Sequence, residues 1–98
     1  MGKIWTKKED ELLCIFCIEQ YIIKESCESI EPFVSQFVDK IEFLGRSSGS
    51  IRMRIQNIKA VLEMHKIHNT IPVTPLVNFA AQTEVVLLKL LREYNYKK

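Results

Sequence analysis

The chain has 98 residues and a formal net charge of +2, with 47% hydrophobic and 27% charged residues and only three Gly and three Pro. That length supports one modest core and excludes a (β/α)8 barrel or a doubly wound sheet, which need more chain. The composition excludes disordered and collagen-like classes, and no stretch approaches the roughly 18 apolar residues of a membrane-spanning helix. No signal peptide is expected, because Lys3, Lys7 and Lys8 lead into acids and not into an apolar run. Three cysteines, an odd number, argue against a disulfide framework and fit a reducing, cytoplasmic setting.

The first helix opens at Thr6-Lys7-Lys8-Glu9, a capping box with Thr6 as N-cap and Glu9 three residues on. Leu12, Leu13, Phe16, Cys17, Gln20 and Tyr21 follow at helical spacing, and the helix is expected to end near residues 23–25. Ile15, Ile18, Ile22 and Ile23 make it apolar on more than one face, as a deeply buried or partner-binding helix is. The second helix is expected from Ser29, with Pro32 in its first turn and a core stripe of Phe33, Val34, Phe37, Val38 and Ile41. It is expected to stop at Phe43-Leu44-Gly45, where Gly45 takes the left-handed turn. A third helix, capped by Ser47 or Ser48, carries Ile51, Ile55, Ile58 and Leu62 on one face and runs to about Met64. No more than about four residues are expected between helices 2 and 3, the spacing of a helix-turn-helix. Residues 65–82 read as a loop broken by Pro72 and Pro75, with Thr74 able to open a short helical turn. A last helix is expected over 83–94, capped by Thr83, with Val86, Leu87, Leu90, Leu91 and Tyr94 as its apolar set. The tail from Asn95 is polar and expected to fray. The whole reads as one all-α domain, a three-helix unit over 1–64 plus a C-terminal helix.

The small net charge hides an asymmetry. Residues 9–42 carry nine acids and two lysines, whereas residues 43–61 carry Arg46, Arg52, Arg54 and Lys59 with no acid. One helix-length segment is purely basic, the footprint expected of a polyanion-binding surface or of a solvated helix face.

The opening Trp5-Thr6-Lys7-Lys8-Glu9-Asp10-Glu11-Leu12-Leu13 resembles the W-T-x-x-E-D-x-x-L start of Myb/SANT repeats. Gly45-Arg46-Ser47-Ser48-Gly49-Ser50-Ile51-Arg52-Met53-Arg54-Ile55-Gln56-Asn57-Ile58 resembles the third helix of that family. The match covers about residues 4–60. It departs where the family carries aromatic core residues: Phe37 stands near one such place and Ile55 occupies the other. The connection around residues 22–30 is also longer than a typical repeat needs. Residues 44–87 are in addition similar to a helical domain that precedes HNH nuclease domains in some bacterial restriction-like enzymes. The nuclease is not expected here, since the sequence has no His-Asn-His cluster and ends at Lys98. What the resemblance implies is a stand-alone DNA-recognition module of bacterial or phage type, with a regulatory or recruiting role and no catalysis.

The residues of the third helix agree with that implication. With the isoleucines on the core side, the opposite face carries Gly49, Met53, Gln56 and Ala60, flanked by Arg52 and Asn57. Gln56 and Asn57 amides can pair with adenine, Arg52 with guanine, and Met53 can touch a thymine methyl or simply be surface. Gly49 and Ser50 permit close approach, and Ser47, Ser48 and the free amides of the helix start can hold a phosphate. Arg46, Arg54, Lys59, Lys3, Lys7 and Lys8 are then candidate clamps on the DNA backbone; alternatively Arg46 and Arg54 pair internally with Glu9 or Asp10. Four or five phosphate contacts correspond to a log–log salt slope of about −4.

Other constellations are weaker. Cys14 and Cys17 with His65 and His68 have the types of a zinc set, but the two cysteines fall mid-helix among bulky apolar residues, where inert buried thiols are expected. No nucleophile, acid–base pair or phosphate loop stands out, so neither catalysis, a metal nor a cofactor is expected. The first reading is therefore a monomeric or homodimeric protein that binds double-stranded DNA through its third helix. The rival is a non-catalytic protein-interaction module on the same fold. Charge geometry separates them: arginines and lysines on one exposed face favour DNA, whereas arginines turned inward beside an exposed apolar patch favour a protein partner.

Overall fold

The computed structural model describes residues 4–94. Lys3 and the tail from Asn95 lie outside the described residues. Four α-helices account for the regular structure, α1 (Lys7–Ile18), α2 (Glu31–Val38), α3 (Ser48–Met64) and α4 (Ala81–Glu93), and no strand occurs among the described residues. The all-α expectation therefore holds. Helix α4 lies along α1, and α3 packs on α2, α4 and α1, so one core forms between them.

Helix α1 begins where its capping box dictates. The Thr6 hydroxyl accepts from the Glu9 amide at 3.1 Å, and the Glu9 carboxylate accepts from the Thr6 amide at 2.8 Å. Leu13, Cys14, Cys17 and Ile18 point into the core. The helix then widens into one π-helical turn over Glu19–Ile23, which buries Tyr21 and Ile22 and leaves Ile23 outside. Glu25 follows with φ of 53°, a left-handed turn that reverses the chain. Tyr21 secures the reversal by donating its hydroxyl hydrogen to the Glu28 carbonyl at 2.9 Å.

Helix α2 is shorter than the sequence pattern suggests. It starts at Glu31, two residues past Ser29, and ends at Val38, well before Gly45. Ile41, expected in the core stripe, is 76% exposed. The reason is Phe43. On a continued helix it would sit about 120° around from Phe37, off the core face. Breaking the helix at Asp39 and adding one 3-10 turn over Ile41–Phe43 swings Phe43 into full burial, 5.2 Å from Phe37 and 6.2 Å from Trp5 between ring centres. Gly45, at φ of 87°, then makes the left-handed step that an L side chain resists. The connection from α2 to α3 thus spans residues 39–47, longer than the expected short turn.

Helix α3 is capped by Ser47, whose hydroxyl accepts from the Ser50 amide at 3.1 Å, and Ile51, Ile55, Ile58 and Leu62 are fully buried. The segment after it holds Ile67 and Ile71 in the core and forms no helical turn at Thr74. Thr70 pins this segment to the reversal after α1 through bonds to the Ser26 and Tyr21 carbonyls.

Helix α4 begins at Ala81, so Thr83 lies inside its first turn and is not the N-cap; Ala80 occupies that place without a side-chain bond. Thr83 is fully buried, and its hydroxyl has no hydrogen-bond partner. A buried unpaired hydroxyl costs about 1–3 kcal/mol. Thr83→Val keeps the branched shape and removes the orphan, so the urea midpoint is expected to rise, by about 1 kcal/mol of stability. A fall of that size would mean that the hydroxyl is bonded in solution.

Candidate nucleic-acid interface

The position of α3 is set by two arginines that meet one indole. Arg46 donates from Nε and Nη2 to the two Glu9 oxygens, each at 2.9 Å, and from Nη2 to the Ile4 carbonyl at 2.9 Å. Arg54 donates to the two Asp10 oxygens at 2.8 and 2.7 Å. Both guanidinium groups lie over the Trp5 ring, 4.1 and 4.9 Å from its centre, within cation–π range. Gln82 of α4 closes the cluster, donating to Asp10 Oδ2 at 2.7 Å and to the Trp5 carbonyl at 3.1 Å. All four charged side chains are buried. Burial alone would raise the Glu9 pKa; the Arg46 bonds and the Thr6 amide outweigh it and hold the carboxyl below its ordinary value.

The internal alternative for Arg46 and Arg54 is therefore the one adopted, and neither side chain is offered to a phosphate. The physical reason is geometric. Glu9 and Asp10 occupy the first turn of α1, and that turn faces the start of α3 across Trp5.

Two further candidates, Gln56 and Asn57, make internal hydrogen bonds on the outer side of α3. The Gln56 amide donates to the Thr74 carbonyl at 3.1 Å, and the Asn57 amide donates to the Leu76 carbonyl at 2.8 Å. The Leu76 amide in turn donates to the Gln56 carbonyl. Residues 74–76 thus run across the outer side of α3, and Ala60 on that side is buried. Lys59 is also engaged, with Asn69 Oδ1 and Glu63 Oε2, each at 3.0 Å.

What stays open is the amino-terminal half of α3. Ser47 is exposed, Ser48, Gly49, Ser50 and Arg52 are partly exposed, and Met53 is 55% exposed. A side chain at Gly49 would meet only the Ser47 hydroxyl, at 3.8 Å. No acid lies in the first turn. Lys7 and Lys8 are exposed at the start of α1, and among the described residues neither makes an ion pair. The Arg46 bond to Ile4 ties the segment that leads into α1 to the residue before the α3 cap. Arg52 meets one acid, Glu31 of α2, whose two oxygens accept from Nε at 2.8 and 3.0 Å. The Arg52 bond holds the Glu31 carboxyl below its usual range.

Glu31, Gln82 and the stacking role of Trp5 are the contributors that sequence reasoning missed. Only Trp5, a lone tryptophan ahead of a capping box, carried a local signal.

The remaining constellations stay apart. Cys14 and Cys17 are buried in α1, and burial pushes both thiol pKa values well up. His65 meets Glu84 at 2.7 Å, and His68 lies 3.6 Å from Glu25. Among the described residues no group of three or more such side chains converges on a metal position. None of the described helices is long and apolar enough to cross a membrane. A second surface feature is an apolar groove of about 400 Å³ lined by Ala60, Glu63, Met64, Pro75, Val77 and Phe79. No family model, curated protein or solved structure matches this chain.

The buried cluster predicts a specific acid sensitivity. Asp10→Ala leaves Arg54 buried without its partner, and such losses cost about 3–5 kcal/mol, readable by urea denaturation. Because the Glu9 pKa is depressed by folding, its contribution is present above the ordinary glutamate value of about 4.3 and is lost as pH falls through the lower folded value. The stability of the wild type is expected to drop below about pH 4.3, and Glu9→Gln is expected to flatten that limb.

Proposed function

We propose that this chain is a small double-stranded-DNA-binding module of Myb/SANT-like helix-turn-helix type, with a regulatory or recruiting role and no catalysis. The observation that carries the reading is the uncovered amino-terminal half of α3, from Ser47 to Met53, beside the exposed Lys7 and Lys8. A recognition helix addresses base edges with its first turns, and its free amides suit a phosphate. The footprint is smaller than the sequence alone implies. Ser47, Ser48 and Gly49 lie at the backbone, Arg52 and Met53 at the bases, and Lys7 and Lys8 on a neighbouring phosphate. The internal pairs also help this surface, because burying Glu9 and Asp10 takes two acids away from the lysines that precede them.

With Lys7 and Lys8 as the remaining phosphate contacts and Arg52 at a base, the expected log–log salt slope is about −2, less than the −4 of the full set. Fluorescence anisotropy on a random 20-base-pair duplex between roughly 50 and 200 mM salt measures it. Wild type is expected to bind in the micromolar range. Lys7→Ala with Lys8→Ala is expected to remove most of that slope. Absence of binding at the lower salt would overturn the reading.

A second reading, a protein-interaction module, is favoured by a different observation. Arg46 and Arg54 turn inward, and the groove beside Met64 and Val77 is apolar and open. If the duplex titration is flat, this reading takes precedence, and Met64→Asp is the variant to compare with wild type in partner capture.

A further inference from the structure

Arg52 and Glu31 form an unusual pair in this chain, because it is exposed on both sides and joins two different helices. Their side chains are 43% and 55% exposed. Exposed pairs contribute little to stability, so the contact calls for another consequence. Its geometry supplies one. Glu31 grips only Nε, with both oxygens, and among the described residues no acceptor engages the two terminal nitrogens of Arg52. A guanidinium held by its Nε edge presents Nη1 and Nη2 as a fixed fork directed away from the holder. That fork is the donor pattern that matches O6 and N7 of a guanine in the major groove. Glu31 is itself anchored, in the first turn of α2, where the helix dipole favours an acid and Pro32 stiffens the backbone. Met53, the neighbour of Arg52, is 55% exposed.

We infer that Glu31 is a positioning residue that aims Arg52 at a guanine, so that the pair sets the sequence preference of the module. The inference rests on the DNA-binding reading and deepens it. Holding a flexible arginine in one rotamer before contact lowers the ordering cost of binding. It does so selectively for the base that accepts both Nη donors. The charge of Glu31 opposes phosphate binding in general, so the pair trades non-specific affinity for discrimination. That trade separates a positioning role from simple screening of Arg52.

The test begins with selection of bound duplexes from a pool with ten randomised base pairs, followed by anisotropy on the selected site and on the same site with its guanine changed to adenine. Wild type is expected to enrich a guanine and to bind the guanine duplex about tenfold tighter than its adenine counterpart. Arg52→Ala is expected to abolish that ratio. Glu31→Ala is expected to reduce it to about threefold or less while leaving affinity for the adenine duplex unchanged or higher. Glu31→Gln keeps an acceptor for Nε and is expected to fall between. Circular dichroism and the thermal midpoint of Glu31→Ala should match wild type, since the pair lies at the surface. If Glu31→Ala keeps the full guanine preference, or if both Glu31 variants raise affinity for the two duplexes equally, the inference is overturned. Wild-type binding with no enriched guanine overturns it too, and leaves the DNA-binding reading standing. Failure of wild type to bind any duplex brings down both.

Discussion

The buried cluster of Trp5, Glu9, Asp10, Arg46 and Arg54 is the constraint on which the rest of this small protein depends. A chain of this size has a modest core, and burying four charges in it is costly unless each is met by an opposite charge in good geometry. Here each of the two guanidinium groups faces a carboxylate with two hydrogen bonds, and both lie over the indole. Such a cluster has few alternative arrangements. It therefore fixes the register of α1 against α3 more tightly than interchangeable isoleucines could. Gln82 extends the constraint to α4 through Asp10. Three helices and the N-terminal segment meet at one polar point.

Around that point the apolar packing does the bulk of the work. The aromatic set Phe16, Phe33, Phe37 and Phe43 links α1, α2 and the connection to α3 through edge and tilted contacts. The break in α2 belongs to this logic: an ideal helix would strand Phe43 away from Trp5 and Phe37. The cost of interrupting a few backbone bonds is offset by full burial of a large ring. The same interruption lengthens the α2–α3 connection and exposes Ile41 and Leu44.

The open surface of α3 is what these constraints leave over. Residues 74–76 occupy the outer side of α3 near Gln56 and Asn57, so those amides hold the chain in place. Toward its amino end α3 is uncovered, and the reading of DNA recognition, or of protein binding at the groove beside Met64, is a competition between these two surfaces. The charge pattern that first pointed to a polyanion is largely internal or locally paired. Among the described residues Lys7 and Lys8 make no ion pair, and Arg52 is held by Glu31 through Nε alone.

Local signals in the sequence mark where α1 and α3 begin. The capping box at Thr6, the serine cap at Ser47, the left-handed Gly45 and the isoleucine stripe of α3 are local signals, because each depends on residues within a turn or two. The sequence also contained the two possible fates of Arg46 and Arg54, but not which one is realised. That choice depends on whether Glu9 and Asp10 reach across 37 and 44 residues of chain, a separation that no helical period encodes. Long-range packing settles it, together with the end of α2 at Val38, the cover over Gln56 and Asn57, and the meeting of Glu31 with Arg52. Each of these is a contact between distant segments whose energy is realised only when the whole core closes. Local propensity sets where helices can form, and the packing of buried rings and paired charges sets which faces they show.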